Sequence, residues 1–172
     1  MSQTLAALNS SDRAAFVAAL GHLFEHSPWV AEETFSKGPF ADADALHAAL
    51  CGTMMDASPE RQLALVRAHP DLAGRLARAG ELTPSSAREQ SAAGLDRLTP
   101  DEASEIVRLN DAYKARFGFP FVICARLNAK GAILASMRSR AANSPKEELS
   151  TALGEIAKIA RLRLNEALTQ ED

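Results

Sequence analysis

Five of the eight prolines stand directly after a serine or threonine: Ser27-Pro28, Ser58-Pro59, Thr83-Pro84, Thr99-Pro100 and Ser144-Pro145. Each pair is a helix start. The hydroxyl accepts from N–H groups that have no partner in the first turn, and proline suits the first helical position because it has no N–H to leave unpaired. Glutamates three residues after Thr99 and Ser144, at 102 and 147, complete two reciprocal capping boxes. Between these starts the apolar spacing is helical, with Phe16, Leu20, Leu23 and Phe24 in one segment and Ile106, Leu109, Tyr113 and Phe117 in another. Alternating strand patterns are nearly absent. The pattern predicts a single-domain, all-α fold over residues 1–172 with roughly eight helices, the last running from about Pro145 to Leu168.

The totals exclude several classes of function. Hydrophobic residues at 47% and charged residues at 24% are globular proportions, and a net charge of -3 with scattered Lys and Arg gives no footprint for nucleic acid or an anionic membrane. No apolar run is long enough to span a bilayer. Cys51 and Cys124 are far apart and read as free thiols in a reducing compartment. The amino terminus lacks a secretory pattern and the TQED end is no peroxisomal address, so the expected location is the cytoplasm.

Three prolines fall outside the helix-start pattern. Pro39 sits in a plain loop, whereas His69-Pro70 and Gly118-Phe119-Pro120-Phe121 are informative. Pro70 pushes His69 out of helical geometry where the helix begun at Ser58 ends. The imidazole there either answers the carboxyl end of the helix dipole or points into a cleft. Downstream, Ser86, Glu89 and Gln90 share one helix side and place a hydroxyl, a carboxylate and an amide together. Ser86 with Glu89 also scans as a capping box. The run Phe117 to Cys124 should be extended and apolar, either as core filling or as buried backbone that offers polar groups to a ligand. In the last helix Arg163 falls within the margin of the apolar stripe and Arg161 outside it; an inward arginine needs an anion, unless its stem covers the core while its head reaches water. Finally, His22-Leu-Phe-Glu25-His26 matches the H-x-x-E-H pattern of inverted zinc proteases, with both histidines at helical i, i+4 spacing but no marked third ligand.

Taken together, these segments resemble the 2-oxo-4-hydroxy-4-carboxy-5-ureidoimidazoline (OHCU) decarboxylases. The marks are His69-Pro70-Asp71-Leu72-Ala73-Gly74, Ser86 to Gln90 followed by Ala93-Gly94-Leu95, Asn110 with Tyr113 leading into Phe117 to Ile123, and Lys158 to Leu164. The resemblance implies a cofactor-independent, all-α carboxy-lyase, a homodimer, that converts its small-molecule substrate to (S)-allantoin at the end of urate oxidation. It makes His69 and Glu89 catalytic. It makes Pro70, Ser86, Ala87, Arg88, Glu89, Gln90, Phe121, Val122, Ile123, Cys124, Ala125 and Arg163 substrate-binding, with Arg161 as the alternative register for the arginine, and it implies no metal. Two other readings are a noncatalytic helical module that binds a ureide and a zinc hydrolase built on His22, Glu25 and His26. Leu162, opposite the core stripe, is the one expected exposed contact of the last helix.

Overall fold

The computed structural model describes residues 2–169; the TQED end beyond Thr169 lies outside the described residues. Those residues form ten α-helices, of which α1 (Leu5–Asn9) and α6 (Arg75–Ala79) have five residues each, leaving the eight longer helices the sequence predicts. The others are α2 (Arg13–Leu20), α3 (Trp29–Thr34), α4 (Ala43–Met55), α5 (Pro59–Arg67), α7 (Pro84–Ala92), α8 (Pro100–Phe117), α9 (Lys130–Arg140) and α10 (Pro145–Ala167). Among the described residues the only extended pairing is an isolated parallel bridge between Gln3 and Leu168. No helix among them is long and apolar enough to cross a membrane.

Four of the five Ser/Thr-Pro pairs cap as expected. Ser58 and Thr83 accept from the N–H groups of Arg61 and Ser86, and the two capping boxes at Thr99–Glu102 and Ser144–Glu147 are reciprocal. Ser27 is the exception. Its hydroxyl donates to the Glu25 carbonyl at 2.9 Å, and Pro28 itself takes the cap position of α3.

The chain forms two compact units, one built from the start to Ala68 together with the stretch from Ala157, the other from His69–Ile156. In the first unit Phe16, Leu20, Leu46, Leu50, Met54 and Leu65 are all but fully buried, and the ring of Phe16 meets Phe35 edge-on with centroids 5.5 Å apart. Each such side chain contributes about 1.5–3 kcal/mol of burial. The helix expected to run from Phe16 through Phe24 ends at Leu20. A 3-10 turn, Gly21–Leu23, and extended Phe24 follow, so Leu23 and Phe24 reach the core without continuing the helix. This breaks the i, i+4 register that zinc binding by His22 and His26 required, and His26 lies at φ 47.

In the second unit Ile106, Tyr113, Ile133, Met137 and Ile156 form the core between α8, α9 and the first half of α10. Gly118 ends α8 in a left-handed cap at φ 75, which glycine adopts without a Cβ penalty, and its N–H returns to the Lys114 carbonyl. Proline 120 then keeps the chain extended to a 3-10 turn at Ala125–Leu127.

Candidate active site

Helix α5 stops at Arg67, and the seven residues Ala68 to Gly74 connect it to α6. His69 is buried, while Pro70 is half-buried. This loop is tightly folded. Ala73 lies in the left-handed region at φ 47, a conformation that costs a non-glycine residue roughly 1–2 kcal/mol. Gly74 is required by contact, since a Cβ there would lie 2.6 Å from that of Asp71.

Side chains from two helices of the same unit hold the loop in place. Gln90 on α7 accepts from the Ala73 N–H at 2.8 Å and reaches the Asp71 carbonyl at 3.5 Å. Asn110 on α8 donates to the Leu72 carbonyl at 2.9 Å, and Lys114, one turn on, pairs with Asp71 at 2.6 Å. Through Gln90 the histidine loop is bonded to the helix that carries Ser86 and Glu89.

The spacing of that helix behaves as predicted: Ser86, Glu89 and Gln90 are buried together on one side, and Ala87 and Arg88 are exposed on the other. Because Thr83 is the cap, Ser86 lies inside the helix at its third position. The capping-box reading of Ser86 is therefore replaced. Its hydroxyl is a buried side chain inside the helix, beside Glu89 and Gln90. A cavity of about 490 Å³ borders the same helix at Ala87, Gln90 and Ser91, with Ala73, Leu82 and Leu95 among its walls. It touches the Gln90 side of the loop rather than His69 or Glu89.

The extended segment Phe121 to Ala125 is buried throughout, and the turn that follows it packs against α7. The sequence gives the apolar character of this segment but not what holds it. Arg140, in the last turn of α9, donates from Nη1 to the Val122 carbonyl at 2.8 Å and lies 4.2 Å from the Phe121 ring centroid. Its Nε donates to Glu148 at 2.8 Å, and Glu148, wholly buried, also accepts from the Tyr113 hydroxyl at 2.6 Å and the Asn143 amide at 2.9 Å. Burial, reinforced by the neighbouring Glu148, pushes the Tyr113 hydroxyl far up, so it stays a donor. The Asn128 amide holds the Cys124 carbonyl at 3.0 Å. The segment is thus fixed by polar groups at Val122 and Cys124 and by ring packing at Phe121, whose centroid lies 5.4 Å from that of Tyr113.

Arg163 belongs to the other unit. It is 2% exposed and donates from Nη1 to Glu25 at 3.0 Å and to the His22 carbonyl at 3.2 Å. The inward arginine has its anion there. Arg161 bonds Asp44 and Asn165 near the surface. Leu162, expected to be exposed, is half-buried. With Glu25 committed to Arg163, the zinc reading loses its carboxylate, and the described residues contain no cluster of three or more His, Cys, Asp or Glu arranged around a metal.

An all-helical frame that buries a histidine, a glutamate, a serine and a glutamine beside fixed, extended backbone is a scaffold for acid–base chemistry. The family model for OHCU decarboxylase matches residues 9–165, and this chain belongs to that family. It is 43% identical over 169 residues to the 2-oxo-4-hydroxy-4-carboxy-5-ureidoimidazoline decarboxylase of Halalkalicoccus jeotgali, covering 98% of this chain and 94% of that protein. Against the mouse (Mus musculus) protein of the same name the identity is 41% over 162 residues, with 94% and 90% covered. The crystal structure of an (S)-allantoin synthase superposes with a TM-score of 0.78 at 29% identity, covering 99% of this chain and 55% of that one. An OHCU decarboxylase solved in the presence of (S)-allantoin has a TM-score of 0.70 at 24% identity, covering 93% and 100%, and speaks to the fold alone.

Proposed function

We propose that this protein is a carboxy-lyase that decarboxylates OHCU to (S)-allantoin in urate degradation, with His69 and Glu89 at the centre of the reaction. Family membership supports the reaction. The hydrogen bonds from Gln90 into the His69 to Gly74 loop support the site, because they join the histidine loop to the helix that buries Ser86 and Glu89.

The substrate carries a carboxylate and a hydroxyl on one ring carbon, next to a carbon doubly bonded to nitrogen. When the bond to the carboxylate breaks, its electron pair forms a carbon–carbon double bond, and the electrons of the carbon–nitrogen bond move onto nitrogen. Carbon dioxide leaves, the ring nitrogen takes up a proton, and a neutral enol remains. Proton delivery to the neighbouring carbon, with loss of the enol hydroxyl proton, gives the ketone of allantoin. The ring is its own electron sink, so the reading is cofactor-independent. The protein's tasks are orientation and proton transfer from one face, which fixes the handedness of the product.

In this reading His69 moves the proton and Glu89 orients it. Pro70, Ser86, Gln90 and the backbone from Phe121 to Ala125 hold the ring and the ureido group. Ala87 and Arg88, with exposed side chains, join Ser86 and Gln90 on the same helix. Arg163 carries the assignment to the substrate's acid group on the family match alone, and within its own unit Glu25 orients its guanidinium. The whole chain is read as one functional domain, a homodimer and a cytoplasmic enzyme; the family model running through both compact units supports the first of these.

The test generates the unstable substrate in place from urate with the two preceding enzymes and follows allantoin by circular dichroism. Wild-type protein should yield one enantiomer rapidly. His69→Ala should lose about 10²–10⁴-fold in turnover, the range for a general acid or base, and Glu89→Gln should lower kcat more than it raises KM. Racemic product at the spontaneous rate from folded wild-type protein would instead favour the noncatalytic ureide-binding module.

A further inference from the structure

We propose that Asn110 is a positioning residue for His69, acting through the carbonyl of Leu72. The inference rests on the reading of His69 as the proton-moving group and adds to it a residue that does not touch the substrate.

The loop from His69 to Gly74 is not helical, and its internal hydrogen bond is weak: the Gly74 N–H meets the Asp71 carbonyl at 3.4 Å. It also holds Ala73 in the left-handed region. A strained segment of this kind persists only where its surroundings over-determine it. Three side chains do so here, and they differ in depth. Lys114 and Asp71 form a partly exposed ion pair, their side chains 41% and 25% exposed, which solvent screens. Gln90 commits its oxygen to the Ala73 N–H, at the far end of the loop from the histidine, and its amide nitrogen reaches the Asp71 carbonyl only at the long distance of 3.5 Å. Asn110 is 4% exposed and holds the Leu72 carbonyl, three residues from His69, from a rigid helix of eighteen residues.

The other half of the Asn110 amide supports this assignment. Its Oδ1 is buried with no hydrogen-bond partner among the described residues. A buried polar atom left unsatisfied opposes folding, so an amide that fulfils only one of its capacities is a poor way to fill a core. What this amide supplies that an apolar residue cannot is the donor to Leu72. Asn110 and Lys114 lie one turn apart on the same face of α8, so one helix fixes the loop at two successive residues, Leu72 and Asp71. Loss of the deeper anchor lets the loop relax around its strained residue, and displacement of a reacting group by about 1 Å lowers turnover on the order of 10²-fold.

The experiment compares Asn110→Leu, Asn110→Asp and Asn110→Ser with wild type and with His69→Ala. It measures kcat and KM in the dichroism assay, the melting curve, and the imidazole C–H resonances by NMR, with that of His69 assigned by its absence from His69→Ala. Asn110→Leu, which lacks the donor, should lower kcat by about 10–100-fold with KM within threefold, and should broaden or split the His69 resonance; Asn110→Asp should do so where its carboxyl is ionised and recover at lower pH, where the protonated acid donates again. Asn110→Ser keeps a donor and stays closest to wild type, which keeps the test valid should the other two fail to fold. Turnover within twofold of wild type in a folded donor-less variant, an effect confined to KM, or equal losses in Ser and Leu variants would each overturn the proposal. If His69→Ala retains full turnover, the reading of His69 fails. The His69 resonance in the Asn110 variants then still decides whether the amide fixes the loop.

Discussion

Two irregular stretches of the 69–156 unit supply the candidate site, and they are held in opposite ways. The loop from His69 to Gly74 is pinned bond by bond: Gln90 to Ala73, Asn110 to Leu72, Lys114 to Asp71. The segment from Phe121 to Ala125 is held mostly in bulk, buried along its length with the Phe121 ring against Tyr113, and only its Val122 and Cys124 carbonyls are gripped, by Arg140 and Asn128. Hydrogen bonds are directional and fix individual atoms; apolar burial is not directional and fixes a segment only as well as its shape fits. A strained loop that must present one imidazole needs the first kind. A run of backbone offered to a ring can rely on the second, provided its single buried cation is neutralised.

That proviso is where the largest effect should appear. Arg140→Met leaves Glu148 wholly buried with neutral partners and no cation, and should destabilise the protein by about 3–5 kcal/mol in urea denaturation. The double variant Arg140→Met, Glu148→Leu should recover much of the loss. A loss below about 1 kcal/mol would mean that ring packing holds this segment without the ion pair.

A smaller effect is expected in the loop. Gly74→Ala drives a methyl group against Asp71 and should cost about 1–3 kcal/mol by thermal melting, with a larger proportional loss of turnover than of stability. Unchanged activity would show that the loop can shift without moving His69, and the contrast between the two stretches would collapse. Smallest of all, Lys114→Ala should cost about 0.2–1 kcal/mol, and the difference from wild type should shrink at high salt because the pair is partly exposed.

The features legible in the sequence were those decided locally. Ser58, Thr83, Thr99 and Ser144 cap within three residues of themselves, and Gly118 and Pro120 govern their own backbone, so helix starts and the extended segment could be read directly. The coincidence of Ser86, Glu89 and Gln90 on one buried face followed from helical spacing. Ser27 and the helix through Phe24 were misread because tertiary packing outweighed local preference: Leu23 and Phe24 suit the core equally well in a 3-10 turn and an extended residue. The Arg140, Glu148 and Tyr113 network could not be read at all. Arg140 lies in the last turn of one helix and Glu148 in the first turn of the next, where each looks like an ordinary partner of a helix dipole. Only the fold reveals that both are buried and that they meet. Leu162 was placed outside by the helical wheel, yet a wheel counts only the helix it is drawn for.

The division of the chain into units also has a consequence in time. The 69–156 unit is continuous, whereas residues 2–68 share their unit with the stretch from Ala157, and Gln3 exchanges backbone hydrogen bonds with Ala167 and Thr169. At ribosomal speed the intervening residues take on the order of ten seconds to make. Throughout that interval the apolar faces of the first helices lack the segment that completes their core, and when it ends the later-made unit has all of its own residues before the stretch from Ala157 is made. Synthesis therefore runs against the usual order in which amino-terminal units finish first, and the half carrying His69 and Glu89 can be complete before the half that precedes it.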